Sequence, residues 1–445
     1  MNQDQFIGGL LKAAQAAGIA EAEVYLQREE SMRVLVRENE IDEYAVNTSG
    51  GLSLRGLFSG KMGAAYTEVP DDAAVSMLVT GVKESASLIT DEDEQFIFAG
   101  SPSYASVDCV GELGSPAARV EMSLALDRLG RSLDPRVKEL GGMTGLQTTK
   151  ETIRIVNTHG LNLSHTGTCC VGFIEAVARE GDRVTTGFML GRGLGLSDIH
   201  PEDIAREAVE EAVFQLSASP CVSGEIPVIL RHTAMADLLD TFAGVFSADA
   251  AQKDLSLLKG KEGEIIAASC VTLVDDPLYR GGMATRPFDA EGVATFVKNV
   301  IDGGVLTTLL HNLKTAQKAG CPSTGNAARG GYKGVISVSP TNFYIKPGQR
   351  DIAAMTAAMG SGLVITGVEG LHAGANEVSG DFSLLAQGYL VENGQAGRPV
   401  EQVTVAGNFF TLLMDIVEVG NDLRPSMGTV LCPSVRVKAL SVAGE

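Results

Sequence analysis

Between Gly367 and Gly394 the chain reads GVEGLHAGANEVSGDFSLLAQGYLVENG, and no other run limits its possible folds so sharply. Glycine is the residue that adopts positive φ or lets two backbones approach closely. Ser-Gly-Asp and Glu-Asn-Gly are turn sequences, and the LLAQGYLV between them reads as a strand. An ordinary connector does not need such constrained punctuation. The segment predicts a strand framed by tight turns and, at its start, a loop suited to the wall of a cleft.

The rest of the chain supports a β-rich reading. It holds 52 glycines and no tryptophan among 445 residues, a length that exceeds one typical core and predicts two domains. The fold class expected is α+β. Residues 1–220 form an N-terminal α/β domain of antiparallel strands and helices, and residues 221–445 a β-rich antiparallel C-terminal domain. The boundary falls in Ser217–Gly224, SASPCVSG, where the helical pattern breaks.

Helices are expected over 2–17, about 71–89, about 115–133, from Pro201 to about 216, and over 232–246. Pro201 suits the first helical position, and Glu202 and Asp203 suit the positive end of the dipole. Strands are expected around Val34 and Val36, around Leu52 and Leu54, over about 143–193 and at PVIL, 227–230. Asn47-Thr48-Ser49-Gly50 reads as a turn, and the acidic run Asp91–Glu94 opens an exposed loop. Asn157-Thr158-His159-Gly160 echoes Asn47–Gly50, which leaves open either a duplicated unit or two ordinary turns.

A net charge of −20 opposes nonspecific binding to nucleic acid or an anionic membrane, which depends on lysine and arginine. No run of 18 apolar residues and no basic-then-apolar leader is present, and seven scattered cysteines suit reduced thiols. The expected location is cytoplasmic.

Candidate chemistry is sparse. Gly56–Lys61 is one residue short of a phosphate loop and lacks its Ser or Thr, so it reads as a strand turn. His159, His165, Cys169 and Cys170 lie close together but match no standard zinc spacing. Pro322–Asn326 is a rigid glycine-containing turn whose Asn326 is a candidate contact for a substrate backbone. His372, Asp381 and Ser379 or Ser383 admit two readings: a hydrogen-bonded constellation, or a turn in which Asp381 and Ser379 satisfy amides and His372 orders the loop.

Several long motifs in order resemble the PmbA/TldD family, historically called modulators of DNA gyrase. They are ENEIDEYAVNTSGGLSLRGLFSGKMGAAYTE (38–68), DDPLYRGGMATRPFDAEGVAT (275–295), NLKTAQKAGCPSTGNAARG (312–330), GLHAGANEVSGDFSLLAQGYLVENG (370–394) and SVRVKALSVAG (434–444). The likeness is greatest to the PmbA (TldE) branch. It implies a dimer around an enclosed cleft, taking part in a cytoplasmic metalloprotease that cuts unfolded peptides. It also implies that a TldD-like partner carries zinc on a His-Glu-x-x-x-His helix. Here the helix MADLLDTFAGVFSAD places Asp240 and Val245 at the two ligand positions and Thr241 at the base position. The resemblance therefore implies a subunit with no catalytic residues or cofactor of its own, paired with a zinc subunit or a second copy. His372, Asn376, Asp381 and Asn326 are the expected cleft residues.

Overall fold

The computed structural model describes residues 3–90 and 93–444; Asp91 and Glu92 of the acidic run lie outside them. The first half is one antiparallel sheet with helices on one face. Its elements run α1 (Gln3–Ala16), β1 (Ala22–Arg37), β2 (Glu40–Phe58), β3 (Lys61–Thr67), α2 (Asp72–Ser87), α3 (Pro116–Leu133), β4 (Val137–Leu140), β5 (Gly145–Asn157), β6 (Asn162–Glu180), β7 (Arg183–Gly193) and α4 (Pro201–Gln215). The strands lie in the order β3-β2-β1-β5-β6-β7, with β4 pairing the far end of β6.

The helices begin where the sequence supplies caps. Asp71 accepts from the Ala74 amide at 2.9 Å, Ser115 caps α3 ahead of Pro116, and Pro201 opens α4. Phe6, Ile7, Leu10, Leu11 and Ala14 are the buried stripe of α1, and Ile204, Ala205, Ala208, Val209 and Ala212 that of α4.

The topology of this half recurs: the path α1-β1-β2-β3-α2 is followed by α3-β4-β5-β6-β7-α4, which differs by the short added strand β4, and the two runs join by antiparallel pairing of β1 with β5, from Glu23 opposite Asn157 to Leu35 opposite Gly145. A shared detail supports the equivalence. A Cβ on Gly63 of β3 would stand 1.9 Å from the Val82 carbonyl of α2, and one on Gly187 of β7 2.1 Å from the Ala208 carbonyl of α4. Both helices lie directly on a glycine.

The expected echo, however, pairs the wrong segments. Asn157–Gly160 does join β5 to β6, but its counterpart is Glu38-Asn39, at φ 54° and 61°, between β1 and β2. Asn47–Gly50 is not a turn; it lies inside β2, opposite Ser31–Arg28. The glycines there permit close approach, since a Cβ on Gly50 would stand 2.7 Å from the Gln27 carbonyl. Gly56–Lys61 is a hairpin, with Ser59 and Gly60 at φ 51° and 77°.

In the second half, β8 (Gly224–Leu230) pairs with Gly362–Glu369 on one side and Val435–Ala443 on the other. The strands Asp381–Glu392 and Gln395–Asn408 continue the sheet, and the latter returns to pair with Val435–Ala443. Five strands thus close into a ring. A smaller sheet is formed by the short strands Leu273–Asp275, Lys298–Asp302, Val305–Leu306, Phe343–Ile345 and Val430–Leu431. Pairing is antiparallel except for β8 with Gly362–Glu369 and Phe343–Ile345 with Val430–Leu431. The core gathers both sheets around α5 (His232–Phe242), whose Phe242 stacks on Phe409 at 4.6 Å.

The glycines of 367–394 behave as the sequence requires. Gly370, Gly380 and Gly394 have φ between 75° and 84°, and a Cβ on Gly388 would meet the Val364 carbonyl at 1.8 Å.

Candidate functional site

Strand β8 is buried at Val228, Ile229 and Leu230, and it delivers Arg231 and His232 to the start of α5. Arg231 forms a two-pronged pair with Glu211 of α4, at 2.7 and 3.1 Å, and also donates to the Thr366 carbonyl. Burial, reinforced by Arg231, pushes the His232 imidazole down to about 4, so the ring is neutral at pH 7.

The other face of α5 buries Ala234, Met235, Leu238, Leu239 and Phe242, which leaves Asp237, Asp240 and Thr241 on its polar stripe. Burial and then neighbouring Asp240 push the Asp237 carboxyl up to about 6. Desolvation also raises that of Asp240. Val245 sits in the following 3-10 turn, Ala243–Phe246, and is 2% exposed.

The 3-10 turn after α5 abuts the glycine-rich loop: a Cβ on Gly244 would stand 3.7 Å from Glu377 Oε2. Asn376 Oδ1 accepts from the amides of Val378 and Ser379. Ser379 Oγ donates to Asp381 Oδ2 at 2.8 Å, and Asn408 Nδ2 donates to Asp381 Oδ1 at 2.9 Å. Asn408 Oδ1 also caps the helix Phe409–Asp415 through the amides of Phe410 and Thr411. Of the expected pair, Ser379 does accept from a turn amide, that of Asp381 at 3.3 Å, while the amides of Val378 and Ser379 go to Asn376 and not to Asp381. His372 is exposed on the short helix Leu371–Gly374 and stands outside this hydrogen-bonded set, so neither expected role for it is realised. Asn376 and Asp381 line a shallow, open depression.

Asn326 is placed elsewhere. It is 1% exposed and donates to Asp275 Oδ2 at 2.8 Å, the same oxygen that accepts from Lys298 Nζ at 2.7 Å. Thr341 supplies both its amide and its hydroxyl to Asp275 Oδ1. This buried ionic knot fixes the smaller sheet against the loop 322–341. Asn326 is one of its struts and not part of the depression beside Asp381. His165 and Cys169 face the loop 282–286, whereas His159 pairs with Glu21 at 3.4 Å.

A cavity of about 600 Å³ is lined by residues of β7 and α4 together with the start of α5 and the strand Gly362–Glu369. Arg192, Arg231, His232, Asp237, Glu369 and Arg424 line it. Sequence reasoning passed over it because its residues are spread over more than 200 positions. One signal was present: Arg-His directly after the apolar PVIL places charge at the end of a buried strand, where binding groups collect.

Sequence comparison places this geometry in a family. The descriptions "PmbA/TldA metallopeptidase domain 1", "central domain" and "C-terminal domain" match residues 22–86, 115–216 and 223–444 in turn. The chain belongs to the PmbA/TldD family. It is 25% identical over 437 residues to metalloprotease PmbA of Escherichia coli O157:H7, covering 95% of this chain and 92% of that one. It is 27% identical over 411 residues to a metalloprotease of Methanothermobacter thermautotrophicus, covering 89% and 87%. Among solved structures, one described as a modulator of a DNA gyrase from Thermotoga maritima superposes with a TM-score of 0.90 at 32% identity, covering 99% of this chain and 100% of that one. TldE from Thermococcus kodakarensis shares the fold, with a TM-score of 0.90 at 24% identity and coverage of 99% and 100%.

The PmbA/TldD metallopeptidase descriptions raise the question of a metal at α5. Zinc takes thiolate, imidazole or carboxylate donors in a tetrahedral set. Val245 offers none, and among the described residues no group of three or more His, Cys, Asp or Glu stands together as a ligand set. Of the side chains at 240, 241 and 245 only the Asp240 carboxylate is a zinc donor of these kinds, so the three do not make up a ligand set.

Proposed function

We propose that this chain is the subunit without its own catalytic zinc in a PmbA/TldD-type metalloprotease assembly that acts on unfolded peptides. The observation that carries the reading is the end of α5, where the resemblance expects two histidines and a glutamate. Asp240, Thr241 and the buried Val245 stand there instead. The partner is a TldD-like zinc subunit or a second copy of the chain. The loop 371–381, with Asn376 and Asp381 braced by Asn408, forms part of a cleft wall shared with that partner. Extended peptide adds to a sheet edge through backbone hydrogen bonds, which suits loose sequence preference.

Residues 1–220 and 221–445 are taken as the two domains of this subunit. A cytoplasmic setting agrees with seven free cysteines, and no described helix is long and apolar enough to cross a membrane. The test is metal analysis of the chain purified alone and after co-expression with a zinc-bearing relative. Zinc and peptide cleavage only in the co-expressed assembly support the reading. Chelator-sensitive cleavage by the chain alone overturns it.

A further inference from the structure

Strand β2 leaves much of its outer edge open. It pairs with β1 from Glu40 to Gly56, but β3 covers only Leu52–Phe58 on its other side. Among the described residues no strand lies against the outer edge of Glu40–Ser49. The direction of its amides follows from the hairpin end. Leu57 spends its N–H on the Glu21 carbonyl at 2.9 Å and its C=O on the Ala20 amide at 3.0 Å, so it points toward the β1 side. Backbone groups alternate between the two edges of an antiparallel strand, and the register with β1 is unbroken from Gly56 back to Glu43. Tyr44, Val46 and Thr48 therefore turn their N–H and C=O groups to the open side.

Natural edge strands are blunted by lysine, proline or a covering element. Residues 44–49, Tyr-Ala-Val-Asn-Thr-Ser, hold no charge, proline or glycine. Ile41, Tyr44 and Val46 stand opposite Val36, Val34 and Met32, which are buried with Val120 and Leu124 of α3 packed against them. Residues directly opposite share a face, so the apolar layer under α3 runs on to the edge. There it is uncovered: Ile41 is 47%, Tyr44 51% and Val46 62% exposed. At the tip of the same hairpin Glu38, Glu40, Asp42 and Glu43 form no ion pair among the described residues. Arg37 and Arg33 of β1 stand opposite Glu40 and Ala45, and the tip keeps an excess of negative charge.

We propose that the open edge of β2 at residues 41–49 binds an extended, basic peptide segment as an added antiparallel strand. The segment bonds to the outward groups of Tyr44, Val46 and Thr48, and its alternate apolar side chains rest beside Tyr44 and Val46. Lysines or arginines at its C-terminal end meet Glu40, Asp42 and Glu43. The neighbours of β1 and β2 are all antiparallel, which sets that direction. The choice of a peptide as occupant rests on the protease reading above; the open edge does not. Binding is measured on the chain alone, with no partner, metal or cleavage, so its failure leaves the protease reading to its own test.

The experiment is fluorescence anisotropy of the full chain with fluorescein-labelled Thr-Val-Thr-Val-Lys-Lys amide. Glu-Glu in place of Lys-Lys is expected to weaken binding about tenfold or more. N-methylation of both valines, which face β2 in this register, is expected to abolish it. Val46→Pro removes an N–H that β1 does not use, so the chain should melt as before while affinity falls about tenfold. Glu40→Lys with Glu43→Lys is the second variant, expected to prefer the Glu-Glu peptide. Hydrogen exchange should slow at Tyr44, Val46 and Thr48 on binding. Equal affinity for the methylated peptide overturns the proposal, as does slowed exchange elsewhere with none at 44–48. So does absence of binding up to millimolar peptide by a chain that melts cooperatively. Self-association of the chain that Val46→Pro dissolves also overturns it, since the edge would then serve a second copy.

Discussion

Arg55 of β2 reaches across to Glu291 of the second half at 3.5 Å while its Nε holds Glu23 of β1 at 2.8 Å, and all three side chains are buried. One guanidinium thus links the first sheet to the loop 288–295. Removing one member of a buried pair strands the remaining charge. Arg55→Ala is expected to destabilise the chain by about 3–5 kcal/mol, read as a lowered urea midpoint.

Asp289 stands beside this link. Its carboxylate oxygens accept from the amides of Glu291, Val293 and Ala327. Burial, with help from Glu291, nevertheless pushes its carboxyl up to about 7. A raised carboxyl means that the folded chain keeps a proton that the unfolded chain releases near pH ~4. The stability from this group is full below that pH and is lost as pH rises through about 7. Urea midpoints measured at about pH 5 and about pH 8 should fall on going to the higher pH. The fall should be smaller in Asp289→Asn; an unchanged slope in the variant would contradict the assignment.

Gly388 separates close approach from generic flexibility. Alanine there would drive its Cβ into the Val364 carbonyl, a backbone atom that cannot swing aside. A loss of about 2–4 kcal/mol is expected. Gly8 in α1 has open space around it, and Gly8→Ala should gain about 0.5–1 kcal/mol instead. Thermal melts of the two variants test the pair of signs together.

Asn408 serves two elements at once, as cap of the helix Phe409–Asp415 and as donor to Asp381. Asn408→Ala is expected to cost about 1–2 kcal/mol. It should also speed amide exchange at 376–381 more than in β8. Uniform acceleration across the chain would point to global destabilisation alone.

Restoring the zinc pattern at α5 with Asp240→His, Thr241→Glu and Val245→His is expected to fail. Val245 is packed in the core, so an imidazole there faces apolar neighbours. The variant should melt earlier and hold little zinc by metal analysis; stoichiometric zinc with an unchanged melt would refute this.

Much of this was legible in the chain. Pro201 with its acidic first turn, and the period-2 runs around Val34 and Leu52, located a helix and strands of the first half, because these signals are local. The Asn47–Gly50 error shows the limit. Asn-x-x-Gly is turn chemistry by composition, yet the glycine here serves a neighbouring strand, a fact set by tertiary pairing. His372 and Asn326 were singled out for residue type and loop setting. Burial then assigned Asn326 to the Asp275–Lys298 knot, and the hydrogen bonds of the turn passed to Asn376 and Asn408. Arg192, Asp237 and Glu369 left no trace in any window of sequence, since only the fold brings them to one cavity.

The closed ring of strands has a consequence for synthesis. β8 finds its two neighbours only at 362–369 and 435–443, more than 130 and 200 residues later. Until residue 443 is made, Val228, Ile229 and Leu230 belong to a strand with an open edge, while the first half can already be folded and waiting. Translation therefore leaves the nascent second half exposed to chaperones and to mispairing for most of its length, and its assembly is a late, all-at-once event.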